Sequence, residues 1–242
     1  VCAGSIDWSP TGEWIALEQA SPNTIGLVHP DGTGLQPLQA CAGGGSDPTF
    51  SPEGNTVALS TTNLCEPSVG PGAWGIYGID IASGKVVQRF ADTQVRGPGT
   101  EYIARDLDWN TSGPILTWFS DYVDGGTCHP LGYPGSHQTA DAYRLTAVTD
   151  SPLVRIGNST GEFDMMERYP TWSPSATRIA FSGIRNTGCD SNGSYTSSGR
   201  EELYVMNANG SGTTLVYTPP GTLKTVVYAA WQPCVSTTNR CG

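Results

Sequence analysis

The sequence predicts an all-β fold: a four-bladed β-propeller with four antiparallel strands per blade and an extra C-terminal strand. Three observations carry this reading. One grammar of aromatic marker, turn and apolar strands recurs four times. The strands are short, rich in Val, Ile, Tyr and Trp, and separated by Gly, Pro and Asn-Gly turns. No window sustains the apolar period of a helix. The chain reads as one domain over 1–242, with blades at about 5–40, 46–92, 105–157 and 168–218, an extra strand over 224–233 and a cysteine-containing tail over 234–242.

The first copy runs Asp7-Trp8-Ser9-Pro10-Thr11-Gly12, then Trp14-Ile15-Ala16-Leu17, Ile25-Gly26-Leu27-Val28, the turn Asp31-Gly32 and a last strand over 35–38. The second has Phe50-Ser51-Pro52-Glu53-Gly54, Val57-Ala58-Leu59, Ile76-Tyr77-Gly78-Ile79, the turn Ser83-Gly84 and 86–90. The third has Trp109-Asn110-Thr111-Ser112-Gly113, Ile115-Leu116-Thr117-Trp118, Ala142-Tyr143-Arg144-Leu145 and 153–156. The fourth has Trp172-Ser173-Pro174, Ile179-Ala180-Phe181, Leu203-Tyr204-Val205-Met206, the turn Asn209-Gly210 and 214–217. A fifth start, Tyr228-Ala229-Ala230-Trp231-Gln232-Pro233, is not followed by the rest. The markers Trp8, Phe50, Trp109, Trp172 and Trp231 stand 42, 59, 63 and 59 residues apart, the period of a propeller blade with variable loops. Each unit supplies four strands whose two faces both need cover, and stacking blades around an axis provides it.

The first copy's phrase, and Pro170-Thr171-Trp172-Ser173-Pro174 with Ile179-Ala180-Phe181 and Leu203-Tyr204-Val205-Met206-Asn207-Ala208-Asn209-Gly210, resemble the TolB-type propeller repeat. The resemblance runs from about residue 5 to 233. The third copy departs from it with Asn110-Thr111 in place of Ser-Pro, and the fourth with Ser175-Ala176 in place of the usual Asp-Gly turn. Members of that family commonly have six blades, so the resemblance implies a four-bladed relative. It also leaves open that the chain is the propeller part of a hydrolase, as in peptidases that carry such propellers.

Four copies already contain four innermost strands, so the segment around Trp231 is surplus. It closes the ring beside the first blade, docks onto the next molecule by strand addition in an open head-to-tail assembly, or belongs to a longer propeller of which this chain is an excerpt. Cys65, Cys128 and Cys189 fall in the long loops between second and third strands of copies 2, 3 and 4, and Cys41 reaches the same side. The favoured pairs are Cys41 with Cys65 and Cys128 with Cys189, while Cys2 and Cys234 flank the first and last markers and would lock closure. Cys241 remains, and its terminal position favours an intermolecular bond.

Seven cysteines among many Ser, Thr, Gly and Asn residues point to an oxidising, extracellular or cell-surface location. Four N-x-S/T triplets, at Asn110, Asn158, Asn192 and Asn209, are candidate glycosylation sites, although two coincide with expected turns. The 22 acidic groups outnumber the 12 basic ones, and a net charge of -10 excludes nonspecific binding to nucleic acid or an anionic membrane. An apolar content of 37% excludes a disordered chain, and no window approaches the ~18 apolar residues of a membrane helix. The first residue is Val1 and no leader pattern precedes the repeat, so the sequence reads as a processed or excerpted form.

Catalytic patterns fail on their mechanics. Gly157, Ser159 and Gly161 match a nucleophile elbow, but the motif needs a strand-to-helix turn and a following histidine, and His29, His129 and His137 all precede it. Gly70, Gly72 and Gly75 match a dinucleotide loop that leads into a strand instead of a helix. His129 and His137 near Asp121, Asp124 and Asp141 show no recurring ligand spacing, and Asp190-Ser191-Asn192-Gly193 lacks the later carboxylates of a calcium loop. Glu201-Glu202 reads as a polar strand entrance, and Trp74 and Trp118 as blade packing more than sugar platforms. The expectation is a noncatalytic structural or interaction module without cofactor or metal, whose partner is itself. Its alternatives are a carbohydrate- or protein-binding propeller, or the propeller part of a larger hydrolase.

Overall fold

Each marker serine closes the turn between the first two strands of its copy. In the first copy Ser9 N–H donates to Trp14 O at 2.8 Å, Gly12 N–H donates to Ser9 O at 2.8 Å, and Ser9 Oγ accepts Trp14 N–H at 2.9 Å. Ser51 repeats this with Thr56 and Gly54, and Ser173 with Arg178 and Ala176. Proline follows the serine because its fixed φ suits the first corner of the turn and its missing N–H is not needed there. The corner that follows requires positive φ, supplied by Gly12 at 72° and Gly54 at 75°. In the fourth copy Ala176 is forced to 59°, which explains how Ser175-Ala176 still makes the same turn.

The computed structural model describes residues 3–19, 24–38, 44–61, 74–93, 103–110, 115–124, 136–145, 154–156, 165–189, 195–221 and 229–231. Among them are sixteen strands and no helix. The first sheet orders β1 (Ala3–Trp8), β2 (Ile15–Gln19), β3 (Thr24–Val28) and β4 (Gln36–Leu38). The second orders β5 (Ser46–Phe50), β6 (Thr56–Thr61), β7 (Trp74–Asp80) and β8 (Val86–Thr93). The third contains β9 (Ile103–Trp109), β10 (Ile115–Asp124), β11 (Ser136–Leu145) and β12 (Val154–Arg155), in the spatial order β12-β11-β10-β9. The fourth orders β13 (Met165–Trp172), β14 (Arg178–Cys189), β15 (Tyr195–Asn207) and β16 (Thr214–Tyr217). Each sheet is thus one sequence copy, folded as a meander of four strands.

The strands between turns are longer than the repeat suggested in copies 3 and 4. Residues 188–200 read as a loop, yet β14 runs to Cys189 and β15 starts at Tyr195, with Cys189 opposite Tyr195 and Gly188 opposite Thr196. The arm's Thr, Ser, Asn and Gly residues show no apolar alternation in sequence, so that signal could not reveal the ladder.

The chain forms two compact units, Val1–Leu116 with Arg144–Leu153, and Thr117–Tyr143 with Val154–Gly242. In the first unit one face of the first sheet, Ala16, Ile25, Leu27 and Leu38, packs on Phe50, Val57, Leu59, Tyr77 and Ile79 of the second. Residues directly opposite in an antiparallel ladder share a face, and Val57 stands opposite both Phe50 and Ile79. The second sheet's other face is closed by β9, where Phe90 meets Trp109 edge-on with ring centroids 4.9 Å apart. In the second unit Phe181 and Tyr204 stack at 5.6 Å within the fourth sheet.

Candidate functional site

A hydrogen-bond relay marks the inner strands. Asp7 Oδ2 accepts Phe50 N–H at 2.7 Å and the Thr49 hydroxyl at 3.1 Å, and Thr49 Oγ1 accepts Trp109 N–H at 3.2 Å. In the first two copies the residue before the marker therefore receives the N–H of the next marker. Asp7 Oδ1 also accepts Trp8 N–H at 2.9 Å, so the first marker is satisfied by its own neighbour. Burial holds the Asp7 carboxyl above its usual range, against the lowering effect of the Phe50, Thr49 and Trp8 donors. In the other unit Trp231 Nε1 donates to Thr171 O at 3.1 Å. The fifth marker thus sits beside the residue that precedes the fourth.

Three residues before the marker, three inner strands bend through a left-handed residue: Asp47 at φ 52°, Asp106 at 50° and Tyr169 at 53°. The ladder shifts register between Ser46 and Thr49 and between Arg168 and Thr171, as β-bulges require. The bends bring Asp47 and Asp106 together, although they lie far apart in sequence. Asp47 is 7% exposed, and its carboxyl accepts bonds from the Ser46 side chain and the Asp106 backbone N–H. Burial, then the Asp106 and Glu18 carboxylates, push its pKa up to about 6. The Asp106 carboxylate thus acts on Asp47 through its charge, and the Asp106 backbone N–H through a hydrogen bond. Among the described residues no group of three or more His, Cys, Asp or Glu assembles for a metal ion.

The fourth sheet carries a second polar cluster that sequence reading took for a strand entrance. Glu202 is buried; its Oε2 accepts Tyr204 OH at 2.7 Å and Arg185 Nε and Nη2 at 3.1 and 3.0 Å, while its Oε1 accepts Thr218 Oγ1 at 2.7 Å. Burial raises the Glu202 carboxyl, but Thr218, Tyr204 and Arg185 together hold it below its usual range. Burial and the Glu202 bond push Tyr204 up to about 12. Glu201 accepts the Ser182 hydroxyl at 2.6 Å. Both carboxylates thus accept hydrogen bonds from side chains of their own sheet or of the residue just after it.

The first and fourth sheets each carry apolar residues that are not buried. Through the register Ile6–Leu17, Trp8–Ile15 and Ile15–Val28, one face of the first sheet carries Ile6, Trp8, Ile15, Leu17 and Val28. None is buried, with Ile6 59% and Trp8 53% exposed. The equivalents on the second sheet, Pro48, Phe50, Val57, Leu59 and Ile79, are all buried, as are Pro170, Trp172, Ile179, Phe181 and Met206 on the fourth. The fourth sheet's opposite face mirrors this. Through Ala180–Val205, Ser182–Leu203 and Leu203–Tyr217 it carries Leu203, Val205 and Tyr217, which match Ile25, Leu27 and Leu38 of the first sheet. The latter three are buried, whereas Leu203 and Val205 are half-buried and Tyr217 is 48% exposed.

The remaining sequence candidates fall as follows. Asn110, a candidate glycosylation site in the sequence, takes the place of the marker serines and is buried. Asn209 is exposed, and its Oδ1 accepts Ser211 N–H at 3.0 Å and Oγ at 2.7 Å in the β15–β16 turn. Asn158 and Asn192 lie outside the described residues, as do Cys2, Cys41, Cys65, Cys128, Cys234, Cys241, His129 and the Gly157 and Gly70 motifs. Cys189 ends β14, Trp74 begins β7, and Trp118, Asp121 and Asp124 lie on β10, with His137 and Asp141 on β11.

No family model and no curated protein matches the chain. Among solved structures it is similar to TolB from Acinetobacter baumannii, with 17% identity and a TM-score of 0.57 over 90% of this chain and 44% of that one. The tricorn protease is similar at 9% identity and a TM-score of 0.54, over 89% of this chain and 22% of the other. A structure of a nidogen/laminin complex is similar at 13% identity and a TM-score of 0.54, over 90% and 64%. The chain therefore spans less than two thirds of the length of each of these. The fold is a TolB-like β-propeller fold built of four-stranded antiparallel sheets.

Proposed function

We propose that the chain is a noncatalytic structural or interaction propeller of four blades, acting outside the cell and joining copies of itself head to tail into a glycosylated fibre. The C-terminal segment over 224–233, an intermolecular disulfide from Cys241, or both serve this assembly. The observation that carries the reading is the uncovered face of the first sheet, where Ile6 and Trp8 are exposed while the equivalent residues of the second and fourth sheets are buried. Large apolar side chains grouped on one face mark an interaction surface. The odd cysteine count and the scarcity of basic residues support an extracellular setting. Electron microscopy of native material, with sedimentation velocity in the presence and absence of reductant, tests it. Filaments or concentration-dependent oligomers are expected, and a monodisperse monomer at high concentration overturns the reading.

The Asp47–Asp106 pair favours a second reading, a propeller that binds a carbohydrate or peptide, or serves a larger hydrolase, at its inner strands. Such binding would be saturable, would change near pH 6, and would lose that change in Asp47→Asn. Absence of a pH-dependent ligand across carbohydrate and peptide panels removes it.

A further inference from the structure

We infer that Asn209 is a modification site under the control of the fold: its side-chain amide is closed to deamidation while the β15–β16 turn is shut and open to it once the turn opens. The reaction needs only water and hydroxide. The Gly210 nitrogen gives up its proton to hydroxide and attacks Asn209 Cγ, forming a five-membered imide; the Cγ–Nδ2 bond breaks, and Nδ2 takes a proton from water and leaves as ammonia. Water then opens the ring at Cγ to give aspartate, or at the main-chain carbonyl carbon to give isoaspartate. Gly210 suits the attack because it has no side chain to crowd its nitrogen.

In the shut turn both reacting groups are already bound. Gly210 N–H donates to Asn207 O at 2.8 Å, and Asn209 Oδ1 accepts Ser211 N–H at 3.0 Å and Ser211 Oγ at 2.7 Å. Two more bonds fix the turn, Asn207 N–H to Ser211 O at 2.8 Å and Ala208 N–H to Thr177 O at 3.0 Å in the β13–β14 turn. A bonded and buried N–H is not given up to hydroxide, so attack waits for a local opening, as amide exchange does.

The two products fit this turn unequally. The first copy already holds aspartate at the same place: Asp31 Oδ1 accepts Thr33 N–H at 2.9 Å and Thr33 Oγ1 at 2.7 Å, while Gly32 N–H donates to His29 O at 2.8 Å and His29 N–H to Thr33 O at 3.0 Å. Aspartate at 209 therefore keeps every bond of the turn. Isoaspartate inserts a methylene into the main chain just before Gly210, which has no room to shift: at φ 84° it lies so close to the Ile156 carbonyl that even a Cβ would collide. Formation of that isomer thus fixes an opened turn open.

Wild-type protein incubated at mildly alkaline pH, folded and in urea, tests this through digestion, chromatography and mass spectrometry of the peptides. In urea Asn209 should convert alongside Asn192, the chain's other asparagine followed by glycine; in the folded protein it should convert at least about tenfold more slowly than in urea. Equal rates at Asn209 in the two states would overturn the control by the turn. In protein aged just below its melting midpoint and then treated with protease, isoaspartate at 209 should be confined to the digested chains, with asparagine and aspartate in the resistant ones. An equal share of isoaspartate in both fractions would overturn its rejection by the fold. Asn209→Asp, made directly, should melt with the wild type, and a variant that fails to fold would overturn the match to Asp31.

Discussion

Replacing Asp47 with Asn should stabilise the first unit, and the gain should appear only as the pH rises. Asp47 is nearly inaccessible and shares its surroundings with the Asp106 and Glu18 carboxylates, so its pKa stands at about 6 instead of 3.8. A folded pKa above the unfolded one means that the native state holds the proton more tightly. The stability this contributes is full below about pH 4 and is lost as the pH rises toward 6. Two pKa units at 1.36 kcal/mol each put the loss at about 3 kcal/mol. Asn carries no charge to desolvate, adopts the left-handed conformation at φ 52° readily, and keeps an oxygen for the Asp106 N–H. The stability difference between variant and wild type, from urea unfolding at pH 3.5 to 8, should be flat at low pH, climb by about 3 kcal/mol between pH 4 and 6.5, and then level off. Amide exchange on β5 and β9 gives a second readout confined to the site. A difference that does not vary with pH would refute the assignment, and Glu18→Gln should shift the climb to lower pH.

Three further outcomes follow from the same geometry. Asp7→Ala leaves the Phe50 N–H and the Thr49 hydroxyl without their acceptor and should cost about 2–4 kcal/mol in urea unfolding, with Asp7→Asn costing less. Gly210→Ala adds a Cβ against the Ile156 carbonyl at φ 84° and should lower the thermal midpoint of the second unit, whereas Ala176→Gly relieves φ 59° and should raise it by about 0.5–1 kcal/mol in equivalent stability. Glu202→Gln weakens the bonds to Arg185, Tyr204 and Thr218 and should cost about 2 kcal/mol near neutrality. Because the Glu202 pKa is lowered, that penalty should be present above the ordinary carboxylate range and fade as the pH falls through the folded value, measured by acid titration of variant and wild type.

The sheets were legible because their signals are local. Ser9, Ser51 and Ser173 each close a turn within five residues, and Val57-Ala58-Leu59 forms the short apolar run of a strand buried on both sides. The same Ser-Pro grammar carried the fourth copy despite Ala176, since the surrounding hydrogen bonds impose the conformation that glycine would take freely. The arms of β14 and β15 escaped because Thr196 and Ser197 pair without an apolar rhythm. Asp47 and Asp106 escaped for another reason: their meeting is set by bulges that no composition announces. Aligning the copies three residues before each marker, Ser5, Asp47, Asp106 and Tyr169, would have exposed the pair of acids.

The bond from Trp8 N–H to its own Asp7 sets the character of whatever binds at that end. The donor that later markers extend backward is already satisfied here, so an arriving surface finds side chains and no open backbone group at this point. The self-assembly proposed above, if it used Ile6 and Trp8, would have the temperature signature of apolar burial: a negative heat-capacity change, strengthening on warming and under salting-out ions, and loosening in the cold.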